Sequence, residues 1–395
     1  MKIKYKTIEN VLLIVTLFLM SMNFMAKFYY FAFAAFIILL LFNRKLCLDF
    51  SCVPYALLSV IMSLYNSGNG IMAMLRVFAF VFMYIVGMNV VESSKDSLKP
   101  GSEDKTAYKF LAVITMGAFA HYLMNYIYNF GTAVSRNTLD VWSNATMAAT
   151  GQAALCSMAI GLSVAFILLP KTKFIRIIGI ILTAFILLYN LILAGRTIMM
   201  VYLIVFIAAM YFIYRNLKNK SKRYKYVLGV LLFLLAVLIA YNMNIGGIKN
   251  TLESSNLFLR FFDSPEYGLT SDSRMENKIS YITNAFSHLG GGLYLRNRFG
   301  YAHDLLLDAY DEYGLLTFIV LIFILINGIK ELYYFTKNNR IDMFYRLSFL
   351  CVYIAILLEF WVEPIFPGMP WIFACYSLIN GMLKGVNRSY RKRII

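Results

Sequence analysis

The chain has 395 residues, of which 61% are hydrophobic and only 14% charged, with a mean hydropathy of +0.68. Globular chains run near 45–50% apolar with about a quarter of their residues charged, so this composition excludes a soluble enzyme, a secreted disulfide scaffold and a disordered chain. What remains is an all-α integral membrane protein, whose net charge of +17 reads as topology and not as a surface for nucleic acid.

A spanning helix takes about 20 consecutive apolar residues. Such runs predict about twelve transmembrane helices, near 8–25, 28–42, 53–66, 71–91, 107–129, 149–169, 174–194, 197–214, 225–242, 312–329, 344–362 and 369–384. The second and third are short. With the N-terminus inside, 27 of the 37 Lys and Arg residues fall on cytoplasmic segments, as the positive-inside rule requires, and both termini are expected in the cytoplasm. The first run, flanked by lysines, reads as a signal anchor. Cys47, Cys52, Cys156, Cys351 and Cys375 lie on the inner side or within spans and lack metal-ligand spacing, so neither disulfides nor a metal site are expected. Residues 1–395 read as a single polytopic domain. Its one long connection is an external loop, 243–311, between spans nine and ten. Amphipathic helix is expected within it, and loops of this length are usually functional or disordered.

Nine basic residues fall outside against the rule: Lys27, Arg136, Arg196, Lys249, Arg260, Arg274, Lys278, Arg296 and Arg298. Arg196, in Gly195-Arg196-Thr197, stands at the start of the eighth span, where a cation opposes the helix dipole. It either snorkels to headgroups or offers its planar fork to a lipid-linked phosphate. Arg274 follows Ser271-Asp272-Ser273. Ile279, Ile282, Ala285, Phe286 and Leu289 then recur at helical spacing up to Gly290-Gly291-Gly292, with Ser271 or Asp272 as N-cap. No Gly-Lys-Ser/Thr follows, so this is not a P-loop. In Tyr301-Ala302-His303-Asp304, a helix places His303, Leu307, Tyr310 and Gly314 on one face, toward the protein. Asp304, Asp308, Asp311 and Glu312 then face water or headgroups. His303 suits a general base. Arg76, within the fourth span, is expected either to pair with Glu359 or Glu363 or to contact a diphosphate. Trp142, Tyr267, Tyr281, Tyr294, Tyr301 and Tyr310 are candidates for stacking on sugar rings, although aromatics populate membrane interfaces by default.

Taken in order, the Gly-Arg-Thr turn, the Ser-Asp-Ser-Arg stretch ending in Gly-Gly-Gly, and the His-Asp entry to Gly314-Leu315-Leu316 resemble the O-antigen polymerase and ligase superfamily of bacterial cell-envelope assembly. The resemblance covers roughly 150–385 by architecture and is sharp over 195–197, 271–292 and 303–316. Asp304 departs from it, standing where an amide or hydroxyl is usual, as does Tyr281 where Trp is frequent. It implies a glycosyltransferase of the cytoplasmic (inner) membrane that takes glycan from undecaprenyl diphosphate, using no metal, nucleotide sugar or other cofactor. Arg196 and Arg274 would stabilise the departing diphosphate, and His303 would take the proton of an acceptor sugar hydroxyl. The implied partners are an undecaprenyl-diphosphate-linked oligosaccharide, membrane lipids, a flippase and a chain-length regulator, with no nucleic acid. Polymerisation of O-antigen or capsular repeat units is favoured by composition over ligation to a lipid A core. The competing class is a flippase or transporter of lipid-linked oligosaccharides, but such proteins keep loops short and charges near the midplane. A peptidoglycan polymerase lacks its catalytic-Asp signature here.

Overall fold

The computed structural model describes residues 2–42, 46–66, 68, 70–92, 102–131, 137–217, 221, 223–224, 228–229, 235, 239–254 and 273–392. The expected ninth span lies largely outside these residues, as do Arg136, Arg260, Tyr267, Ser271 and Asp272.

The apolar runs fold as helices: α1 (Lys2–Ser21), α2 (Phe28–Phe42), α3 (Val53–Tyr65), α4 (Ile71–Glu92), α5 (Ser102–Tyr128), α6 (Ala149–Leu168), α7 (Lys173–Ile192) and α8 (Arg196–Asn216). After short α9 (Ile248–Glu253) come α10 (Ser273–Thr283) and α11 (Tyr294–Phe299), then α12 (Leu305–Lys337), α13 (Met343–Val362), α14 (Ile365–Gly368) and α15 (Pro370–Lys392). Among the described residues, α4, α5, α6, α7, α8, α12 and α13 are the seven helices long and apolar enough to cross a membrane. The chain is thus an all-α membrane protein. Among the described residues it also has a hairpin that the sequence pattern did not predict, β1 (Asn137–Leu139) paired antiparallel with β2 (Thr146–Ala148).

Helix starts follow local chemistry. The Thr172 hydroxyl accepts from Ile175 N at 3.3 Å to cap α7, and Asp342 accepts from Phe344 N at 2.8 Å to cap α13, each satisfying a donor that the first turn leaves open. The bundle is organised around α6, a helix of small residues buried on nearly every side, against which α5, α7, α8 and α13 pack. Its Ser157 and Ser163 hydroxyls bond back to carbonyls three residues earlier, which keeps polar atoms satisfied where no water reaches. The most extensive helix pairing joins α4 to α15. Built Cβ atoms at Gly87 and Gly381 would lie 2.2 and 2.1 Å from carbonyl oxygens of the partner helix, so only glycine permits this close approach, the usual device for helix association in lipid.

One end of the bundle carries ion pairs of basic residues, Lys171 with Asp342 at 3.3 Å and Lys384 with Glu331 at 3.2 Å. The other end carries the hairpin and the segment 273–304, and is called the loop end below.

Candidate functional site

At the loop end, α10 is seated by one face. Arg274 Nη1 donates to Val362 O at 3.0 Å and lies 3.4 Å from Glu363 Oε1, while Nη2 donates to Thr150 Oγ1 at 3.2 Å. One turn on, Lys278 pairs with Asp304 at 3.6 Å and donates to Trp361 O. Asn277 donates to Tyr301 O at 3.2 Å, and Tyr281, fully buried, donates to Gly300 O at 2.8 Å. The adjacent stripe of Met275, Ile279 and Ile282 is exposed. The helix ends at Thr283 and a short 3-10 turn covers Ala285–Ser287, so the continuous run to Leu289 expected from apolar spacing is corrected.

Burial governs the charge balance of this face. It raises the Asp304 carboxyl above the ordinary aspartate range, although backbone N–H groups and Lys278 work the other way. It likewise lowers Lys278 from its ordinary value despite the pull of Asp304.

The sequence reading of the 303–314 segment also needs correction. His303 is not on a helix: it sits at φ 54° just before Asp304, which N-caps α12 by accepting from Leu306 N at 3.0 Å and Leu307 N at 3.2 Å. The carboxylates do not face water. Asp304, Asp308 and Asp311 are buried because each serves the backbone. Asp308 accepts from Ala302 N at 2.9 Å and Asp304 N at 3.1 Å. Asp311 accepts from Leu295 N at 2.7 Å and Arg296 N at 2.9 Å, starting α11. Tyr310 is buried and its hydroxyl donates to Ala285 O and to His288 O, the latter at 3.1 Å, so it braces the loop. The glycines have a steric reason. Gly314 interrupts α12 at φ 81°, ψ 177°, and Leu315 N donates to Leu289 O at 2.9 Å. A Cβ on Gly291 would lie 2.7 Å from Gly314 N.

Arg274 and His303 are therefore brought into one neighbourhood, through Lys278 and Asp304. Arg196, half-buried at the start of α8, is at the same end of the bundle beyond α6. Its turn is fixed by Gly195 N donating to Asn190 O at 2.8 Å. Arg76 lies apart. The expected pairing with Glu359 or Glu363 is not made: Glu363 is engaged by Arg274, and Glu359, fully buried on α13, has no hydrogen-bond partner among the described residues. Arg76 instead lines a cavity of about 430 Å³ between α3, α4, α12 and α14, together with Asn66, Glu312, Tyr313 and the apolar Met62, Met72 and Phe80. A relay of side chains connects this cavity to the His303 turn. Glu312 lies 3.8 Å from Arg296, whose guanidinium stacks 3.8 Å over the Tyr301 ring, which is 6.1 Å from the imidazole of His303. Another cavity, of about 760 Å³, is elsewhere. It is an almost wholly apolar groove between α1 and α5 with Lys105 and Lys109 at its rim, which suits an acyl chain and not a glycan.

Sequence reasoning missed a second polar cluster. His121 on α5 is fully buried and its Nε2 lies 2.6 Å from Asp140 Oδ1, at the tip of the hairpin. Asp140 also accepts from Ser143 N at 2.9 Å and Ser143 Oγ at 2.7 Å. Burial alone would raise this carboxyl, but the bonds from His121 and Ser143 outweigh it and bring it down to about 2. The available signal was the Asp-x-x-Ser turn beside Trp142, which short strands flank without any long periodic pattern. Glu363 and Thr150, which hold Arg274, carried no signal either, being distant in sequence. Compared with known proteins, the chain matches no protein-family model and no curated protein.

Proposed function

We propose that this protein polymerises lipid-linked oligosaccharide repeat units of the O-antigen or capsular kind, at the outer face of the bacterial cytoplasmic membrane. In this reading it has about twelve spans, both termini in the cytoplasm, and 243–311 outside. The observation that supports it is the docking of α10, which carries Arg274, onto the Tyr301–Asp304 turn, which carries His303, at one end of an apolar bundle. A quarter of the Arg274 side-chain surface stays exposed while Glu363 and Thr150 fix its orientation, and preorganised donors of this kind stabilise charge best where water is scarce.

The chemistry is a displacement at the anomeric carbon of the donor sugar. The acceptor hydroxyl oxygen forms the new bond, the bond to the diphosphate oxygen breaks with its electron pair leaving on the diphosphate, and His303 takes the acceptor proton. Arg274 and Arg196 hold the leaving charge. The Arg76 cavity is in keeping with the substrate class, since it sets a guanidinium beside methionine and phenylalanine side chains, and the Glu312 carboxylate that also lines it lies 3.8 Å from Arg296. The test is incubation of the purified protein with undecaprenyl-diphosphate-linked repeat units, read as a ladder of longer glycans. His303→Ala is expected to slow joining by about 10²–10⁴-fold. No ladder from the wild type refutes the reading, and transbilayer movement lost in Arg196→Ala with joining intact would transfer the assignment to transport.

A further inference from the structure

At the end of the bundle away from α10, two cavities share a wall. The apolar groove between α1 and α5 is lined by Ile14 and Phe18 on one side and by Ala112 and Met116 on the other. It is open sideways, with Val15 50% and Met116 49% exposed. Beside it lies a polar cavity of about 640 Å³, formed by the start of α5, the turn after α6, and the connection from α12 into α13. Lys105 and Tyr345 line both, so the groove runs into the polar cavity. Met116 lies about 16 Å along α5 from Lys105. The apolar part thus leads away from the charges, as an acyl chain leads away from its headgroup.

The charge at this junction is one-sided. Lys105, Lys109, Lys171, Arg340 and Arg346 border the joined space, against the carboxylates of Asp104 and Asp342. Both carboxylates are committed. Asp342 pairs with Lys171 at 3.3 Å and caps α13 through Phe344 N, while Asp104, buried, accepts from the Tyr390 hydroxyl at 3.2 Å. Arg346 is buried too, and its Nη1 donates to Thr336 O at 2.9 Å, which fixes a guanidinium in the cavity wall. Lys105, Lys109 and Arg340 are exposed, and among the described residues they form no ion pair. The two lysines stand one turn apart on the same face of α5. Lys105 is in the first turn of that helix, where a cation opposes the dipole, so helix stability does not account for it.

We propose that the α1–α5 groove and the adjoining cavity bind one anionic glycerophospholipid, with an acyl chain in the groove and the phosphate against Lys105, Lys109 and Arg340. Basic pockets between spans hold such headgroups, and the open side of the groove lets the lipid enter from the surrounding leaflet. A zwitterionic lipid brings the same phosphate and chains but adds a cation, which the positive excess disfavours. A soluble anion has no use for the groove. In the proposed topology this end faces the cytoplasm, but the lipid site does not depend on the polymerase reading.

The purified full-length protein, stripped of lipid in detergent, is mixed with phosphatidylglycerol, with phosphatidylcholine of the same chains, or with sodium phosphate, and bound molecules are counted by native mass spectrometry. One phosphatidylglycerol per chain is expected to stay bound under conditions that remove phosphatidylcholine. Replacing both lysines, Lys105→Gln with Lys109→Gln, is expected to weaken that lipid by about 30-fold, and Arg340→Gln alone by about fivefold. Ala112→Phe, which puts a ring into the groove, is expected to weaken it with every cation in place. Lys173→Gln is the control, an exposed lysine at the same end that lines neither cavity, and should leave the preference intact. Equal retention of the two lipids, meaning annular lipid only, overturns the proposal. A preference that survives the double lysine variant, or that falls as far with Lys173→Gln, does the same. So does phosphate bound with no lipid retained, since the charges then serve a soluble anion.

Discussion

Asp304 combines an N-cap with one side of a buried ion pair, and two substitutions separate the roles. Asp304→Asn keeps an oxygen for Leu306 N and Leu307 N, whereas Asp304→Ala loses it and is expected to cost about 1 kcal/mol, read as a lower melting temperature in detergent. Glu363 acts on Arg274 at a distance of 89 residues. Glu363→Ala removes a charged hydrogen bond, expected to cost about 1.5–3 kcal/mol, and glycan joining should fall with it because the guanidinium loses its orientation. An unchanged joining rate with normal folding would remove Arg274 from the site. Residue chemistry was legible in part. Arg274 and His303 stand out because each sits in a short motif, Ser-Asp-Ser-Arg and His-Asp, within the long loop. The carboxylates 304, 308 and 311 were misassigned because a helical wheel does not show that the segment 294–304 folds over their face, where its N–H groups donate to Asp308 and Asp311, while Asp304 precedes the helix as its N-cap.

At the scale of elements, α12 holds 33 residues, about 50 Å at 1.5 Å per residue, well beyond a hydrocarbon core of about 30 Å. The interruption at Gly314 separates a loop-end segment from the membrane segment. At φ 81°, ψ 177° the backbone is in a region essentially reserved for glycine, where another residue costs of order 1–3 kcal/mol. Gly314→Ala is therefore expected to lower the melting temperature more than an alanine substitution at exposed Leu316, checked by thermal unfolding of the two variants side by side. The hairpin gives a pH dependence. Because the folded Asp140 is depressed to about 2, its contribution is fully present above the ordinary aspartate value of about 3.9 and is lost as pH falls through about 2. Amide exchange in 137–148 should rise over that window in the wild type, and should already be raised at neutral pH in Asp140→Ala. Long helices were readable because about 20 apolar residues in a row leave few alternatives. Strands of three residues carry no period, and the helical spacing of Ile279, Ile282, Ala285, Phe286 and Leu289 made α10, which ends at Thr283, look longer than it is.

The whole molecule pairs its first third with its last quarter, since α4 lies against α15 through glycines that admit no side chain. Gly381→Val would force these backbones apart and is expected to abolish a folded monodisperse protein on size exclusion. Sidedness has its own check: a fluorescent protein fused after residue 395 should fluoresce, and alkaline phosphatase inserted after Ser287 should be active. The opposite result for both would invert the topology. The three bonds of Arg274 reach Thr150 in one direction along the chain and Val362 and Glu363 in the other, and this carries a consequence for biogenesis. During synthesis α10 emerges after its first anchor and before its second. In the proposed topology this segment is translocated and waits, its cationic face solvated, until α13 has entered the membrane. A chain arrested after Lys337 should leave residues 273–304 open to protease, and release through Glu363 should close them. Assembly of this end of the protein is thereby a checkpoint on completion of the chain.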